Sequence, residues 1–535
     1  MRNIKVLDTT LRDGGRVIDC HFPDNEILDI SKRLAASKID IIEVGFLRDW
    51  RKVNYQGNST FFTGVDQMKP FIDHSNGKSI YVAFIDYGLF DFDTLPECDG
   101  TSIDGIRFGF TKKNYLADRE GIIRYARLIK DKGYMLFLQG VNSLSYNDRE
   151  LLDLVDVMNE IHPYSFGIVD TYGAMYIEDV DHLYSLIDHN LDPDICINFH
   201  SHNNYQLSFA FSQEVIKLSR GTRNIIIDST LQGMGKLSGN LNTELIINYL
   251  VQKMHYDYEM DEILDLIDDY IYKYSLEHKW GYSTLAMLQG YYMAHQNNVI
   301  YLTEKFRLST KDVGRILAMI DPQTRLRYDY DVIEERYIEY SSNRIDDSGA
   351  LAELKALVAG RPILVISPGA SILTHEGVIE DYIRDRDPII ISVNFVDRHD
   401  GSLAFFGNIK RYNRFKGKTD GHEIITSSNI RSSAARYQIN YDSIINRGYA
   451  YFDNSTIMLL NLLKKHGVER IALAGFDGFD ADLDSNYIDD SFQNDRHKSE
   501  FEKMNQEISR MMKDITETLE GKCSVEFITP SKYQP

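Results

Sequence analysis

The feature that most constrains the fold is the regular alternation of short apolar runs with helix-like segments over roughly the first 250 residues. The runs lie at 4–7, 39–46, 79–85, 105–110, 134–141, 164–169, 195–199 and 224–228. Eight strand–helix units predict a (β/α)8 barrel, whose active site forms at the C-terminal ends of its strands. A doubly wound sheet is the alternative, but it does not normally need eight units or place polar clusters at several strand ends.

The rest of the chain changes character after the barrel, which we assign to residues 1–254. Residues 255–320 are rich in Asp, Glu and Tyr and then become apolar, which predicts a helical extension. Residues 321–360 are charged and tyrosine-rich, and we expect them to form a linker. Strand-like runs at 363–366, 389–393, 423–426 and 470–474 then predict a Rossmann-like α/β domain over 361–535.

Composition indicates the cellular compartment and excludes some classes of partner. The 80 acidic against 59 basic residues, a net charge of −21, argue against a nucleic-acid-binding protein, because such proteins carry a positive footprint. The four cysteines lie far apart without a CxxC pair, so neither a disulfide framework nor a zinc knuckle is indicated. No apolar run approaches the roughly 20 residues that cross a bilayer. We therefore expect a cytoplasmic protein with no membrane partner.

The end of the seventh predicted strand carries His200-Ser201-His202. Because strand side chains alternate with period two, both histidines point to the same side and are able to bind one ion. Asp13, after the first strand, is expected on the same rim. Two imidazoles and a carboxylate leave open positions on a divalent ion, as a catalytic site requires. Without a thiolate, this set admits Mn²⁺ or Mg²⁺, which we favour, and also Co²⁺, Fe²⁺ or Zn²⁺.

Five motifs at predicted strand ends carry a resemblance to a known superfamily. They are DTTLRDG at 8–14, IEVGF at 42–46, DTYGA at 170–174, HSHNN at 200–204 and GMGKLSGN at 233–240. Together they resemble the metal-dependent lyase superfamily of 4-hydroxy-2-oxovalerate aldolases, hydroxymethylglutaryl-CoA lyase and isopropylmalate synthase, over roughly residues 4–250. Residues 280–318 also resemble the helical extension of the aldolase branch. The resemblance implies that Asp13, His200 and His202 are metal ligands, and that Asn240 is a further ligand.

The resemblance also implies chemistry at a carbon–carbon bond next to a 2-oxo acid, through an enolate that a divalent ion stabilises. Arg12 stays protonated beside Asp13 and is expected to donate to the developing oxyanion, rather than only to form a salt bridge. Glu43 either orients a metal-bound water or Arg12, or forms a structural ion pair, and both interpretations remain open. Asp170 and Thr171 are expected to bind the substrate carboxylate.

One position departs from the superfamily pattern. In aldolases of this group, a histidine three residues after the ligand aspartate handles the proton of the hydroxyl at the cleaved bond, and here that residue is Arg16. An arginine is a poor base, so His21 is the nearest candidate, with Tyr172 and Tyr205 behind it. Arg16 would instead bind a second carboxylate or a phosphate, which predicts a substrate with an extra anionic or polyhydroxylated tail.

The residues of the glycine-rich segment at 233–240 differ between the branches of the superfamily. Synthases that condense acetyl-CoA carry Glu-Arg there, whereas this chain has Lys236-Leu237. The lyase acting on hydroxymethylglutaryl-CoA carries a cysteine in that segment, and this chain has none. The resemblance therefore favours a pyruvate-type aldolase.

In the second predicted domain, residues 363–371 form a strand and a small-residue turn, where the backbone N–H groups of Gly369 and Ser371 are able to hold a phosphate. Segments 392–395, with Asn394, 410–415 and 474–477 loosely resemble bacterial sialyltransferases and related nucleotide-sugar-using domains. We therefore expect a nucleotide or nucleotide sugar at Gly369, Ser371 and Asn394.

Two hypotheses follow from the sequence. In the first, the protein is a divalent-metal aldolase for a 2-oxo acid and an aldehyde, in sugar-acid or surface-polysaccharide metabolism, and forms a homo-oligomer. In the second, it is a nucleotide-sugar-binding or glycosyltransferase-type protein whose barrel is secondary or inactive. The metal ligands favour the first hypothesis, and Arg16 favours the second.

Overall fold

The structure is a computed structural model. It describes residues 3–53, 55–57, 59–76, 78–306, 308–399, 401–419, 421–431, 433–483, 485–489, 492, 498–519 and 523–534. The chain divides into two compact units, Met1–Ile333 and Glu334–Pro535.

The first unit is a closed parallel barrel of eight strands. Its strands, with one short extra strand, are β1 Ile4–Asp8, β2 Ile41–Leu47, β3 Phe61–Phe62, β4 Ile80–Asp86, β5 Gly105–Thr111, β6 Met135–Val141, β7 Ser165–Asp170, β8 Cys196–Ser201 and β9 Ile225–Ser229. The order is β1-β9-β8-β7-β6-β5-β4-β2, and pairing of β1 with β2 closes the sheet. The two-residue β3 pairs with the end of β2. This confirms the predicted barrel and excludes the doubly wound alternative for this part of the chain.

Amphipathic helices surround the barrel and continue beyond it. They are α1 Asp24–Ala36, α2 Lys112–Ala117, α3 Arg119–Asp131, α4 Asp148–Ile161, α5 Ile177–Asn190, α6 Ser208–Leu218, α7 Thr243–Met254, α8 Met260–Leu266, α9 Tyr272–Glu277, α10 Thr284–Tyr292, α11 Gln296–Glu304, α12 Thr310–Met319 and α13 Pro322–Arg325. In α3, for example, Ile122, Ala126 and Ile129 are fully buried at helical spacing against the sheet.

The helical extension packs on the C-terminal rim of the barrel. The side-chain amide of Asn204, in the loop after β8, donates to the carbonyl of Ala286 in α10 at 2.7 Å. The indole N–H of Trp280 donates to the carbonyl of Gln232, in the loop after β9, at 2.9 Å. The extension therefore borders the rim at which barrel enzymes assemble their active sites.

The second unit contains a parallel sheet of seven strands. Its elements, from the helix at the division of the units onward, are α14 Tyr330–Ser341, α15 Ser348–Val358, β10 Ile363–Ile366, α16 Ser371–Thr374, α17 Glu376–Arg386, β11 Ile389–Val393, β12 Leu403–Phe406, α18 Ile409–Phe415, β13 Glu423–Ser427, β14 Tyr437–Ile439, α19 Ser455–Lys464, β15 Arg470–Ala474, α20 Phe501–Leu519 and β16 Ser524–Phe527. The strand order is β14-β13-β12-β11-β10-β15-β16. The order reverses between β10 and β15, as in doubly wound folds, which confirms the predicted α/β domain.

Two features of this region differ from the sequence-based expectations. The strands β12, β14 and β16, of three or four residues each, were not predicted from the sequence. Residues 321–360, which the sequence suggests are a linker, contain α13, α14 and α15, and the two units divide within this stretch. Its few apolar residues recur at helical spacing, as the buried Leu354 and Val358 do.

No helix among the described residues is both long enough and apolar enough to cross a membrane.

A bulge in β2 provides a test of the barrel geometry. The register between β2 and β4 shifts between Glu43 and Gly45. Gly45 has a φ of +156°, and a Cβ there would overlap the carbonyl oxygen of Thr60. We expect Gly45→Ala to lower the free energy of unfolding by about 2–3 kcal/mol, because the backbone must move to relieve this overlap. Urea unfolding followed by circular dichroism measures the change.

Gly64→Ala is the matched control, because a Cβ at Gly64 would have no atom within 4 Å and its φ of −154° suits any residue. We expect this variant to unfold within about 0.5 kcal/mol of the wild type. Equal losses in the two variants would contradict the steric explanation.

Candidate metal centre

The three predicted ligands meet at the C-terminal rim of the barrel. One ligand atom from each of Asp13, His200 and His202 lies within 4.8 Å of the others. Asp13 lies in the loop after β1, whereas His200 belongs to β8 and His202 follows it. The Nε2 atom of His202 is 3.4 Å from Oδ2 of Asp13. The fold therefore brings together side chains that are almost 190 positions apart in the sequence.

Hydrogen bonds orient both imidazoles. Nδ1 of His200 is 3.0 Å from Oδ2 of Asp228, and Nδ1 of His202 is 3.0 Å from the carbonyl oxygen of Asp170. A carbonyl oxygen only accepts, so this pattern assigns the ring proton of His202 to Nδ1, and the carboxylate favours the same tautomer in His200. The lone pair of each Nε2 atom is then available to a metal ion.

Asn240, the further ligand that the resemblance implies, lies beside His202 and offers a second candidate oxygen. Its backbone pairs with that of His202, and its amide nitrogen donates to the carbonyl of Met234 at 3.0 Å. Its Oδ1 atom is buried and has no hydrogen-bond partner among the described residues. A buried amide oxygen is rarely left unpaired unless a ligand uses it. Two imidazole nitrogens and two oxygens are a donor set that fits a divalent cation.

Arg12 is held rigidly beside the cluster. It is buried, and it donates from Nη1 to Oδ1 of Asp13 at 2.6 Å and from Nε to Oε2 of Glu43 at 2.7 Å. Its guanidinium lies 4.6 Å from the centroid of the Phe84 ring. Glu43 pairs with Arg12 inside the barrel, so its contacts fit both the orientation of Arg12 and a structural ion pair.

Sequence reasoning missed the network below the rim. Arg107, in the middle of β5, is 1% exposed; it donates to Glu43 at 3.0 Å, to Asn198 at 3.1 Å and to Asp228. Asn198 also donates to Asp228 at 2.7 Å. Buried hydrogen bonds thus link Glu43 on β2 to His200 on β8. The available signal was a lone arginine inside an apolar strand.

The charges set the protonation of the cluster. Burial raises the pKa of Asp13, but the charge of Arg12 and the contact with His202 outweigh it and hold this pKa well below its ordinary value. Burial lowers the pKa of His200, against the opposing effect of Asp228. Burial also lowers the pKa of His202, but its contacts with Asp13 outweigh burial and raise it. An ionised Asp13 and a neutral His200 are the forms that bind metal.

The side chains of two other predicted residues, Asp170 and Thr171, accept hydrogen bonds from backbone N–H groups. The carboxylate of Asp170 accepts from the backbone N–H of Ala174 at 2.8 Å, and burial raises its pKa to about 6. The hydroxyl of Thr171 accepts from the backbone N–H of Asn142 at 2.7 Å. Asp170 therefore contributes to the cluster through its carbonyl contact with His202, and its side chain stabilises the loop.

Arg16 and His21 lie on the loop after β1. Nε of Arg16 is 3.8 Å from Oδ1 of Asp13, so this residue borders the metal cluster. His21 is exposed, and within the described chain nothing hydrogen-bonds to its ring. The structure therefore brings Arg16, but not the ring of His21, into contact with the cluster.

His295, at the start of α11, is a half-buried histidine that sequence reasoning missed. Burial, reinforced by the charges of Arg16 and Lys236, lowers the pKa of His295 to about 4. Its Nδ1 accepts from the backbone N–H of Asn297 at 3.2 Å, which assigns the proton of the neutral ring to Nε2. His295 is thus a neutral hydrogen-bond donor near Arg16.

In the second unit, the predicted phosphate-binding turn is already occupied. The backbone N–H and the hydroxyl of Ser371 both donate to the carboxylate of Asp477, the former at 2.7 Å. The N–H of Gly369 donates to the carbonyl of Gly475 at 2.9 Å. Asn394 has a φ of +64°, and its buried Oδ1 has no hydrogen-bond partner in the described chain. Thus the donors of Gly369 and Ser371 serve the chain itself, and Asn394 keeps an unpaired oxygen.

Comparisons with known proteins agree with the barrel and its motifs. Residues 105–269 match the model of the HMGL-like family. The 2-isopropylmalate synthase of Sulfolobus acidocaldarius is 24% identical over 265 residues, which are 48% of this chain and 64% of that protein. The 4-hydroxy-2-oxovalerate aldolase 6 of Rhodococcus jostii is 22% identical over 254 residues, which are 46% of this chain and 66% of that protein. This chain therefore spans slightly less than two thirds of the length of these relatives.

Among solved structures, the N-terminal domain of a proposed aldolase from Bacteroides vulgatus is 24% identical. It aligns with 57% of this chain and 98% of its own, with a TM-score of 0.47. The family match confirms the resemblance over the three motifs that it covers, those at 170–174, 200–204 and 233–240.

The contact between Asp228 and His200 provides a test of the metal centre. We expect Asp228→Asn to weaken Mn²⁺ binding by about 10- to 100-fold, because a neutral amide holds and polarises the imidazole less than a carboxylate does. Isothermal titration calorimetry of the full-length protein measures the dissociation constant.

Asp188→Asn is the matched control, because Asp188, in α5, also accepts from an arginine, Arg223, at 2.6 Å. Arg223 lies just before β9, at the end of the barrel opposite the cluster. We expect its Mn²⁺ affinity to equal that of the wild type. Unchanged affinity in a folded Asp228→Asn protein would show that the contact does not orient a metal ligand.

Proposed function

We propose that the HMGL-like barrel of this chain is a divalent-metal-dependent aldolase that forms or cleaves a carbon–carbon bond next to a 2-oxo acid. The observation that carries the proposal is the cluster of Asp13, His200 and His202 beside the buried Arg12. A divalent ion held there would supply Lewis-acid stabilisation of a pyruvate enolate. The unpaired Oδ1 of Asn240 supports a fourth protein ligand. The substrates would be a 2-oxo acid and an aldehyde.

Arg12 would provide the electrostatic part of the reaction. Its Nε and Nη1 are engaged by Glu43 and Asp13, so it is fixed before substrate binds, and Nη2 remains for the substrate. Donors that are already oriented in a buried site stabilise a developing oxyanion without the cost of reorganisation. Arg12 would therefore hold the enolate oxygen in the reaction.

We assign the hydrogen bond to the hydroxyl or carbonyl of the aldehyde fragment to His295. Arg16 occupies the position of the histidine expected by resemblance, and His21 is exposed. His295 is half-buried near Arg16 with its proton on Nε2, so it would donate to the substrate oxygen as a neutral imidazole.

The second unit supports a second proposal, the binding of a nucleotide or nucleotide sugar. The strand order reverses between β10 and β15, and ligands of open α/β sheets bind at such a switch point. The unpaired Oδ1 of Asn394, at the end of the neighbouring β11, favours a ligand at this edge. Together with an aldolase barrel, such a domain would suit sugar-acid or surface-polysaccharide metabolism.

The metal-dependent reaction has a direct test. We expect the Mn²⁺-loaded protein to release pyruvate from 4-hydroxy-2-oxo acids, and His200→Ala to abolish this release. Arg12→Lys should lower kcat by about 100-fold or more, because a lysine cannot contact Glu43, Asp13 and the substrate at once. A coupled lactate dehydrogenase assay measures pyruvate. Activity that survives both chelation and His200→Ala would contradict the proposal.

A paired experiment distinguishes the roles of His295 and His21. We expect His295→Ala to lower kcat by about 100-fold and His21→Ala to change it less than about threefold, because His295 is half-buried near Arg16 whereas His21 is exposed. Mn²⁺ affinity, measured in parallel, should be the same in both variants. The reverse order of kcat values would assign this hydrogen bond to His21 instead of His295.

The nucleotide proposal is tested on the full-length protein. We expect titration with CMP to show saturable binding that Asn394→Ala weakens by about tenfold, through loss of one buried hydrogen bond. Asn429→Ala is the control, because Asn429 already donates to the carbonyl of Gly407 at 3.1 Å. Absence of binding by CMP, UMP and their sugar conjugates would remove this proposal.

A further inference from the structure

A pair of arginines lies on the same rim as the metal cluster. Arg16 is on the loop after β1, and Arg48 directly follows β2. Their guanidinium carbons lie 5.6 and 4.5 Å from the centroid of the same ring, that of Phe46. Like charges that share one aromatic ring repel each other, and an anion beside them relieves this repulsion.

Arg48 is buried without being fully paired. The residue is 9% exposed, and Nη2 donates to the carboxylate of Asp86 at the end of β4. Its backbone N–H donates to the carbonyl of Phe62 at 2.9 Å, which fixes its position. Its Nε is buried and has no hydrogen-bond partner among the described residues. A buried guanidinium N–H without an acceptor is costly, and a bound acid group would satisfy it.

Arg16 completes the pair from the solvent side. Its side chain is 40% exposed, so a ligand can reach it. Its nearest carboxylate contact is Oδ1 of Asp13, at 3.8 Å, and that oxygen already accepts from Arg12 at 2.6 Å. Arg16 therefore retains donors for an anion next to the metal cluster.

We propose that Arg16 and Arg48 form a subsite for a second acid group of the substrate, a carboxylate or a phosphate. The inference rests on the proposed aldolase function and specifies its substrate class. Because Arg16 lies beside the metal ligand Asp13, the second acid group is only a few bonds from the 2-oxo acid. The fragment that exchanges with pyruvate is therefore itself acidic, because a neutral polyhydroxylated fragment would accept from Nε of Arg48 but would bring no negative charge to the two guanidinium groups.

The test compares 2-oxo acids of equal length with and without a terminal acid group. Calorimetry on the full-length, Mn²⁺-loaded protein measures dissociation constants for 2-oxoglutarate against 2-oxopentanoate, and for phosphonopyruvate against 2-oxobutanoate. We expect the acid-terminated member of at least one pair to bind about tenfold more tightly. The pair that shows the preference distinguishes a carboxylate from a phosphate subsite.

Two variants locate the preference. Arg16→Met and Arg48→Met keep an unbranched side chain on the Phe46 ring but remove the donors, and each should reduce the preference about tenfold while the monoacids bind as in the wild type. Arg124→Met is the matched control, because the exposed Arg124 lies 4.8 Å from the Tyr125 ring on the outside of the barrel. It should change neither affinity.

Each outcome decides the inference. If circular dichroism shows that Arg48→Met is unfolded, the same comparison is made with Arg16→Met and Arg48→Lys. The lysine keeps the charge but lacks the Nε–H donor. Equal binding within both pairs by the wild type, or a preference that survives in the folded variants, overturns the subsite and leaves the aldolase proposal intact. If no 2-oxo acid binds at all, the aldolase proposal fails and the subsite with it.

Discussion

The carboxylate of Glu43, which accepts from both Arg12 and Arg107 in the barrel interior, is the interaction on which the rim geometry depends. Arg12 also donates to Asp13. Arg107 also donates to Asp228, whose carboxylate contacts His200. One buried network therefore positions a carboxylate ligand on one strand and an imidazole ligand on another. Removing one partner of such a pair typically costs about 3–5 kcal/mol, because it leaves an uncompensated charge inside the protein.

The charge balance of this network suits a cation. Two guanidinium groups, of Arg12 and Arg107, face three carboxylates, those of Asp13, Glu43 and Asp228. The excess negative charge of this buried network lies next to two imidazoles that present nitrogen lone pairs, and the partly exposed Arg16 lies 3.8 Å from Oδ1 of Asp13. A divalent ion there would compensate the excess, and the resulting positive site would attract an acidic substrate. The network thus links the stability of the barrel interior to the chemistry proposed for its mouth.

Much of the barrel was predictable because its signals are local. The period-two alternation of β8 places His200 and His202 on one side, and the ends of parallel strands share one rim. The sequence did not predict the helices of residues 321–360, because their charged residues and tyrosines made the helical spacing of residues such as Leu354 and Val358 hard to recognise. In the second unit, the turn at Gly369 and Ser371 has the composition of a phosphate loop, but the sequence could not reveal that the carboxylate of Asp477 takes its donors.

The sequence by itself determined the order of the strands, the three candidate ligands and the absence of a histidine at position 16, because each depends on neighbouring residues. Only the tertiary structure decided which side chains meet: Arg107 with Glu43 and Asp228, Arg48 with Phe46, and His295 with Arg16. These partners come from different strands or from the helical extension. Burial makes their pairing obligatory, yet the pairing leaves no periodic pattern in the chain.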